Sequence, residues 1–191
     1  MRFQVTLTTL SKKLDELRTT KEVNVVIPGD PFGKQRPKVV GYKYGRPHGI
    51  KQAKTRLYEN KGRLAWHKAY DGPYDIPDEA ELSLKVYYPV PKSWPKYMKK
   101  AALAGIVEPY KKGKGTPDID NVVKMIMDLL NPQKMGNKVI PETGLYKDDG
   151  QVTVLHVECH YSDLPRVEAK VKFRENLTKA VIKELVKKFC A

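Results

Sequence analysis

The stretch Thr153-Val154-Leu155-His156-Val157-Glu158-Cys159-His160-Tyr161-Ser162-Asp163-Leu164-Pro165-Arg166-Val167-Glu168-Ala169-Lys170-Val171-Lys172-Phe173 decides the fold class. Thr153, Leu155, Val157 and Cys159 fall on one side of an extended chain, and Val167, Ala169, Val171 and Phe173 on one side of a second, because successive side chains in a strand point to opposite faces. Ser162 to Pro165 supplies the turn chemistry between them. Upstream, Leu82, Leu84, Val86 and Tyr88 alternate with Glu81, Ser83, Lys85 and Tyr87 until Pro89 and Pro91 end the run, and 22–27 forms a further strand that stops at Pro28-Gly29-Asp30-Pro31.

Helical spacing occupies other parts of the chain. Leu7, Leu10, Leu14 and Leu17 predict a short amphipathic helix over 7–18. A second is predicted over 51–70, with Ala53, Leu57 and Leu64 as its apolar positions beside Tyr58, Ala65 and Ala69, although Gly62 in its middle costs about 1 kcal/mol relative to Ala. A third follows Pro95 as far as Ala104. A fourth begins near Asp120 or Asn121, carries Val122, Val123, Ile126, Leu129 and Leu130, and ends at Asn131-Pro132. A lysine-rich helix over 175–189 closes the chain. The segments 33–49, rich in Gly and basic residues, and 131–147 read as loops, the first mobile and the second polar. Strands and helices mix without strict alternation, which predicts a single α/β (α+β) domain with one mixed sheet flanked by helices over 23–191, preceded by an extension at 1–22.

The 191 residues include 36 Lys and Arg against 22 Asp and Glu, a formal charge of +14. Such an excess attracts polyanions. Between Lys34 and Lys68 there are eleven basic residues, and Glu59 is the only acid. A run of phosphates is the partner such a patch suits, since each basic side chain set on a phosphate releases condensed counterions. Cys159 and Cys190 are too few for a disulfide framework, and His48, His67, His156 and His160 show no zinc spacing with them. With no apolar run long enough for a membrane span or signal peptide, the expected location is the cytoplasm.

The chemistry concentrates in Pro117-Asp118-Ile119-Asp120-Asn121-Val122-Val123-Lys124. If 118–120 is extended, a spacing of two puts both carboxylates on one side, and oxygen ligands of that kind suit Mg²⁺ or Mn²⁺. Asp120 also stands where a helix begins and could cap backbone N–H groups, which leaves Asp118 unexplained. Lys124 lies one turn beyond Asp120, and Asp128 one turn beyond Lys124. That stripe is either a surface ion pair worth ~0.3 kcal/mol or a means for Lys124 to orient a carboxylate or neutralise an attacked phosphate. Asp148-Asp149-Gly150 is a second acidic pair; adjacent side chains diverge, so one suits a metal and the other a turn cap. Tyr42, Lys43, Tyr44 and Arg46 could contact DNA by stacking and phosphate pairing, or form a surface loop.

Three stretches resemble the RusA-type Holliday junction resolvases of bacteria and their phages: residues 27–38, with Gly33-Lys34-Gln35-Arg36-Pro37-Lys38; residues 117–130; and Lys147-Asp148-Asp149-Gly150-Gln151-Val152. The resemblance implies a homodimeric, Mg²⁺-dependent endonuclease that binds a four-way DNA junction and nicks two strands. It implies Asp118, Asp120 and Asp149 as essential acids, Lys124 as catalytic lysine, Asp148 as a supporting acid, and Lys34, Arg36 and Lys38 as contacts to the DNA backbone. Asp128 and Asn121 on the same helix are read as supporting residues, and Lys43 and Arg46 as further DNA contacts. Two alternatives stay open: a restriction-type nuclease, for which Glu158-Cys159-His160 lacks the expected lysine, and a basic DNA-binding protein without catalysis.

Overall fold

The computed structural model describes residues 18–36, 38–41, 48–72, 79–109, 116–175, 177–180 and 182–183. The helix expected over 7–18 and most of that expected over 175–189 lie outside them. In chain order the strands are β1 (Thr19–Pro28), β2 (Lys38–Val40), β3 (His48–Ile50), β4 (Glu79–Pro89), β5 (Gln133–Met135), β6 (Lys138–Ile140), β7 (Val152–Ser162) and β8 (Arg166–Arg174). The α-helices are α1 (Ala53–Ala69), α2 (Lys96–Leu103) and α3 (Ile119–Leu130).

One mixed sheet, ordered β1-β8-β4-β7, carries the fold. β8 runs antiparallel to both β1 and β4, whereas β7 runs parallel to β4. The two strands joined by the turn at Ser162 to Pro165 are therefore not neighbours; β4 lies between them. The alternation predicted for β4 and β8 holds, since Leu82, Leu84, Val86, Tyr88, Val167, Ala169, Val171 and Phe173 are all buried. On β7 the register shifts opposite Ala80 and Glu81, leaving Thr153 as an extra residue and setting Val152 on the apolar face in its place. Leu155 points the same way as Leu82 but stays 44% exposed, because β7 is the sheet's edge.

The sheet's other face is laced with ion pairs, among them Arg166 with Glu168, Lys170 with Glu22 and Lys85 with Glu158. At its end Glu81, buried, is held by Arg174 and Lys172.

The burial of α1 departs from the leucine spacing. Leu57 and Leu64 are 68% and 59% exposed, while Thr55, Tyr58, Glu59, Gly62 and Trp66 are buried. The buried stripe faces β1 and α3. A Cβ on Gly62 would meet Leu129 of α3, so the glycine permits a close helix crossing that offsets its poor helix propensity. The polar members of the stripe turn toward a cleft described below.

Two expected loops also have structure. Segment 131–147 contains the β5–β6 ribbon, turning at Gly136 with φ 63°, followed by a 3-10 turn at Pro141–Thr143. Residues 33–36, expected to be mobile, are pinned to α3, and β2 pairs with β3.

Candidate active site

α3 begins at Ile119, so Asp118 and Asp120 do not share an extended segment as the spacing suggested. Asp118 is the N-cap residue, extended at φ −72° and ψ 151°, and its carbonyl accepts the N–H groups of Asn121 and Val122 at 3.1 Å each. Its carboxylate makes no capping bond. Asp120 sits in the first turn, where the helix dipole and free N–H groups favour negative charge. The hydrogen bond from Lys124, Nζ to Oδ2 at 3.2 Å, holds the Asp120 carboxyl below the usual carboxylate range, with a backbone bond from Asn121 adding to the effect.

The adjacent acids 148 and 149 divide as divergent side chains must. Asp148 caps a 3-10 turn, Asp149–Gln151: its Oδ1 accepts Gly150 N–H at 2.8 Å, and Gln151 Oε1 in turn accepts the N–H groups of Lys147 and Asp148 at 2.7 and 3.3 Å. The Asp149 carboxylate has no hydrogen-bond or ion-pair partner among the described residues. The turn packs against α3.

Two buried tyrosines fix these acids to the sheet and helix. Tyr146 donates its hydroxyl proton to Met127 O at 3.1 Å, and burial pushes its phenol far up, reinforced by the nearby charges of Asp149, Asp128 and Asp148. Tyr88 on β4 donates to Pro117 O at 3.3 Å; burial raises its phenol too, with Cys159 and Asp118 contributing.

The basic segment reaches the same helix. Lys34 N–H donates to Asn121 O at 2.9 Å, and Lys34 Nζ pairs with Asp128 Oδ2 at 2.5 Å. The stripe expected along α3 is thus split: Lys124 pairs backward with Asp120, and Asp128 takes Lys34. The close approach requires Gly33, where a Cβ would stand 2.7 Å from Pro117 Cβ and 3.1 Å from Asn121 Cβ. Phe32 stacks on Tyr58 with centroids 5.4 Å apart. Arg36 is exposed and its carbonyl accepts Gln52 Nε2–H at 3.2 Å. Lys38 lies on β2; Lys43 and Arg46, with Tyr42 and Tyr44, lie outside the described residues.

Carboxylates at positions 118, 120 and 149 have the donor chemistry of a hard divalent cation. Among the described residues, no group of three or more His, Cys, Asp or Glu stands close enough to hold a metal ion. Glu158 and His160, with Nε2 to Oε2 at 3.3 Å, form a separate exposed pair on β7.

The spacing of leucines hid one further feature. Lys51, Thr55, Glu59 and Arg63 recur every fourth residue along α1 and its entrance, and they line a cleft of about 620 Å³ with Asp128 and Asn131 opposite. Lys51 Nζ bonds both Glu59 oxygens at 2.8 Å. Arg63 Nη1 donates to Asn131 O at 3.1 Å and Thr143 O at 2.7 Å, tying α1 to the 131–143 segment. The polar four-residue repeat was the available signal.

Residues 28–172 match the family model of endodeoxyribonuclease RusA. The chain is also 31% identical over 153 residues to the uncharacterized protein YqaN of Bacillus subtilis (strain 168), covering 78% of this chain and 95% of that protein. No described helix is long and apolar enough to cross a membrane.

Proposed function

The chain belongs to the RusA endodeoxyribonuclease family, and on that premise we propose that it acts as a homodimer on four-way DNA junctions, resolving them by paired nicks through metal-dependent phosphodiester hydrolysis. One observation carries the reading: Asp118 stands at the N-cap of α3 with no capping bond from its carboxylate, and at the second cluster the cap is made by Asp148, which leaves Asp149 out of it.

Asp118, Asp120 and Asp149 would hold Mg²⁺, with Mn²⁺ as a substitute. The chemistry that such an ion would supply is a lowered pKa for bound water and a polarised phosphoryl oxygen. Lys124 keeps Asp120 ionised, and its ammonium, 60% exposed, can turn to the phosphate as negative charge grows there. Arg36 holds the strand through its phosphates, and Lys34, anchored by its backbone N–H on Asn121 O, joins it by releasing Asp128. The alternative left open by the sequence is a basic DNA-binding protein without catalysis.

A synthetic four-way junction incubated with Mg²⁺ tests the two. The nuclease reading expects symmetric nicks, their loss on chelation, and binding without nicking in Asp118→Asn, Asp120→Asn and Asp149→Asn. Undiminished cleavage by Asp120→Asn would remove the site proposed, and absence of nicking by wild type would leave only binding. Sedimentation of the free protein checks the dimer.

A further inference from the structure

We propose that the cleft between α1 and the β5–β6 ribbon receives one unstacked nucleobase of the DNA strand beside the cut and sets the sequence preference of incision; this rests on the nuclease reading above. Of the seven side-chain atoms shut off from solvent with no hydrogen-bond partner among the described residues, four are Gln35 Oε1, Thr55 Oγ1, Arg63 Nε and Asn131 Oδ1. All four belong to residues that line this cleft. Thr55 is only 3% exposed. Each such atom bears the desolvation cost of a polar group without the bond that offsets it, and native interiors retain few of them. Gathered at one cleft, they describe a site shaped for a polar guest.

The chemistry of the lining selects the guest. Lys34 is paired with Asp128 and Lys51 with Glu59, while Arg63 spends Nη1 on the carbonyls of Asn131 and Thr143; Arg63 and Lys134 leave the lining net positive, which suits the backbone of the strand that carries the base. What remains is a hydroxyl, two amides and one guanidinium N–H, a mixture of donors and acceptors. A phosphate accepts only and has no use for the amide oxygens. A nucleobase edge presents both kinds of group, and Pro132, Met135 and Ile140 give its faces an apolar wall. A volume of about 620 Å³ exceeds that of one base and leaves room for its sugar.

Position completes the case. Asp128 forms part of the cleft wall and lies eight residues beyond Asp120 on α3, about 12 Å along the axis at the α-helical rise. Lys34 spans the interval, bonded to Asn121 at one end and Asp128 at the other. A strand whose phosphate reaches the acids brings a neighbouring nucleotide to the cleft mouth. Unstacking that base is least costly where pairing is already interrupted, as at a branch point.

The test is junction binding in EDTA, with an abasic residue placed in turn at each position flanking the branch, for wild type, Thr55→Val and Gln35→Leu. Wild type is expected to lose at least tenfold in affinity at one position and little at the others. Both variants are expected to bind intact and abasic junctions alike, with denaturation midpoints equal to or above wild type, because each removes an unpartnered buried polar atom. The same positional penalty in both variants, or no penalty in wild type, overturns the proposal. So does a drop in stability with discrimination unchanged, the mark of a hydroxyl or amide that serves only the interior. Because binding is read without metal, a protein that discriminates but never nicks keeps the pocket and loses the nuclease reading. One that nicks with no abasic penalty loses the pocket alone, and one that binds no DNA loses both.

Discussion

Gly62 of α1 faces the side chain of Leu129 of α3 so closely that a Cβ on the glycine would lie 2.0 Å from Leu129 Cδ1. Alanine at 62 would improve helix propensity by about 1 kcal/mol. It would also force the fully buried Leu129 aside, and overpacking of a filled core costs ~1–3 kcal/mol. Gly62→Ala is therefore expected to lower stability by roughly 0–2 kcal/mol in urea denaturation once the two effects are set against each other. Leu129→Ala alone should cost about 2–5 kcal/mol. The double variant should lose less than the sum, since the second change removes the clash made by the first. A more stable Gly62→Ala protein would contradict the packing.

The division of labour between Asp148 and Asp149 predicts opposite phenotypes. Asp148→Ala loses the cap on the 3-10 turn and should cost about 1 kcal/mol in the denaturation midpoint. Asp149→Asn removes no bond among the described residues and should leave stability within about 0.5 kcal/mol while abolishing junction nicking. The reverse pattern would exchange the two roles.

Lys124→Ala should release the Asp120 carboxyl upward toward the ordinary carboxylate range, which a side-chain carboxyl NMR titration reads directly. The sign follows from the depressed folded-state value. Whatever the pair contributes is present above the ordinary carboxylate pKa and disappears as pH falls through the lowered one. Both groups are exposed, so the denaturation midpoint should hardly move. The nicking rate should fall by roughly 10²–10³-fold, the loss seen when one preorganised charge-stabilising donor is removed.

Lys34 and Arg36 should differ in their effect on salt dependence. Arg36 is exposed with no ion pair among the described residues, so Arg36→Ala should reduce the slope of log K against log salt by about 0.9, one phosphate contact. Lys34 must leave Asp128 to reach a phosphate, so Lys34→Ala should change the slope by less and lower stability more. Titrating junction binding against salt separates them.

Sheet and helices were legible wherever burial is one-sided. β4 and β8 sit in the middle of the sheet, and their alternation translates directly into buried and exposed faces. Legibility failed on α1, where the leucines face out and Thr55, Glu59 and Gly62 face in, because a cleft and a close crossing set that surface. The acidic residues could be found by type and spacing, but not their geometry. Placing Asp118 at the cap and Asp120 within the first turn depends on a helix start two residues wide in sequence terms. The pairing of Lys34 with Asp128 joins residues distant in the chain, and no local pattern encodes it.

The placement of β4 between β7 and β8 governs how the chain can reach its native form. A hairpin formed by segment 152–174 alone would have to open before the native sheet could form, since β4 lies between its two strands. β4 must arrive from more distant sequence and take the central slot, so sheet assembly waits on loop closures that local turn formation cannot shorten. Replacing the turn at Ser162 to Pro165 with a tight two-residue hairpin turn would thus speed the wrong pairing and slow folding, a case in which improving local structure works against the whole.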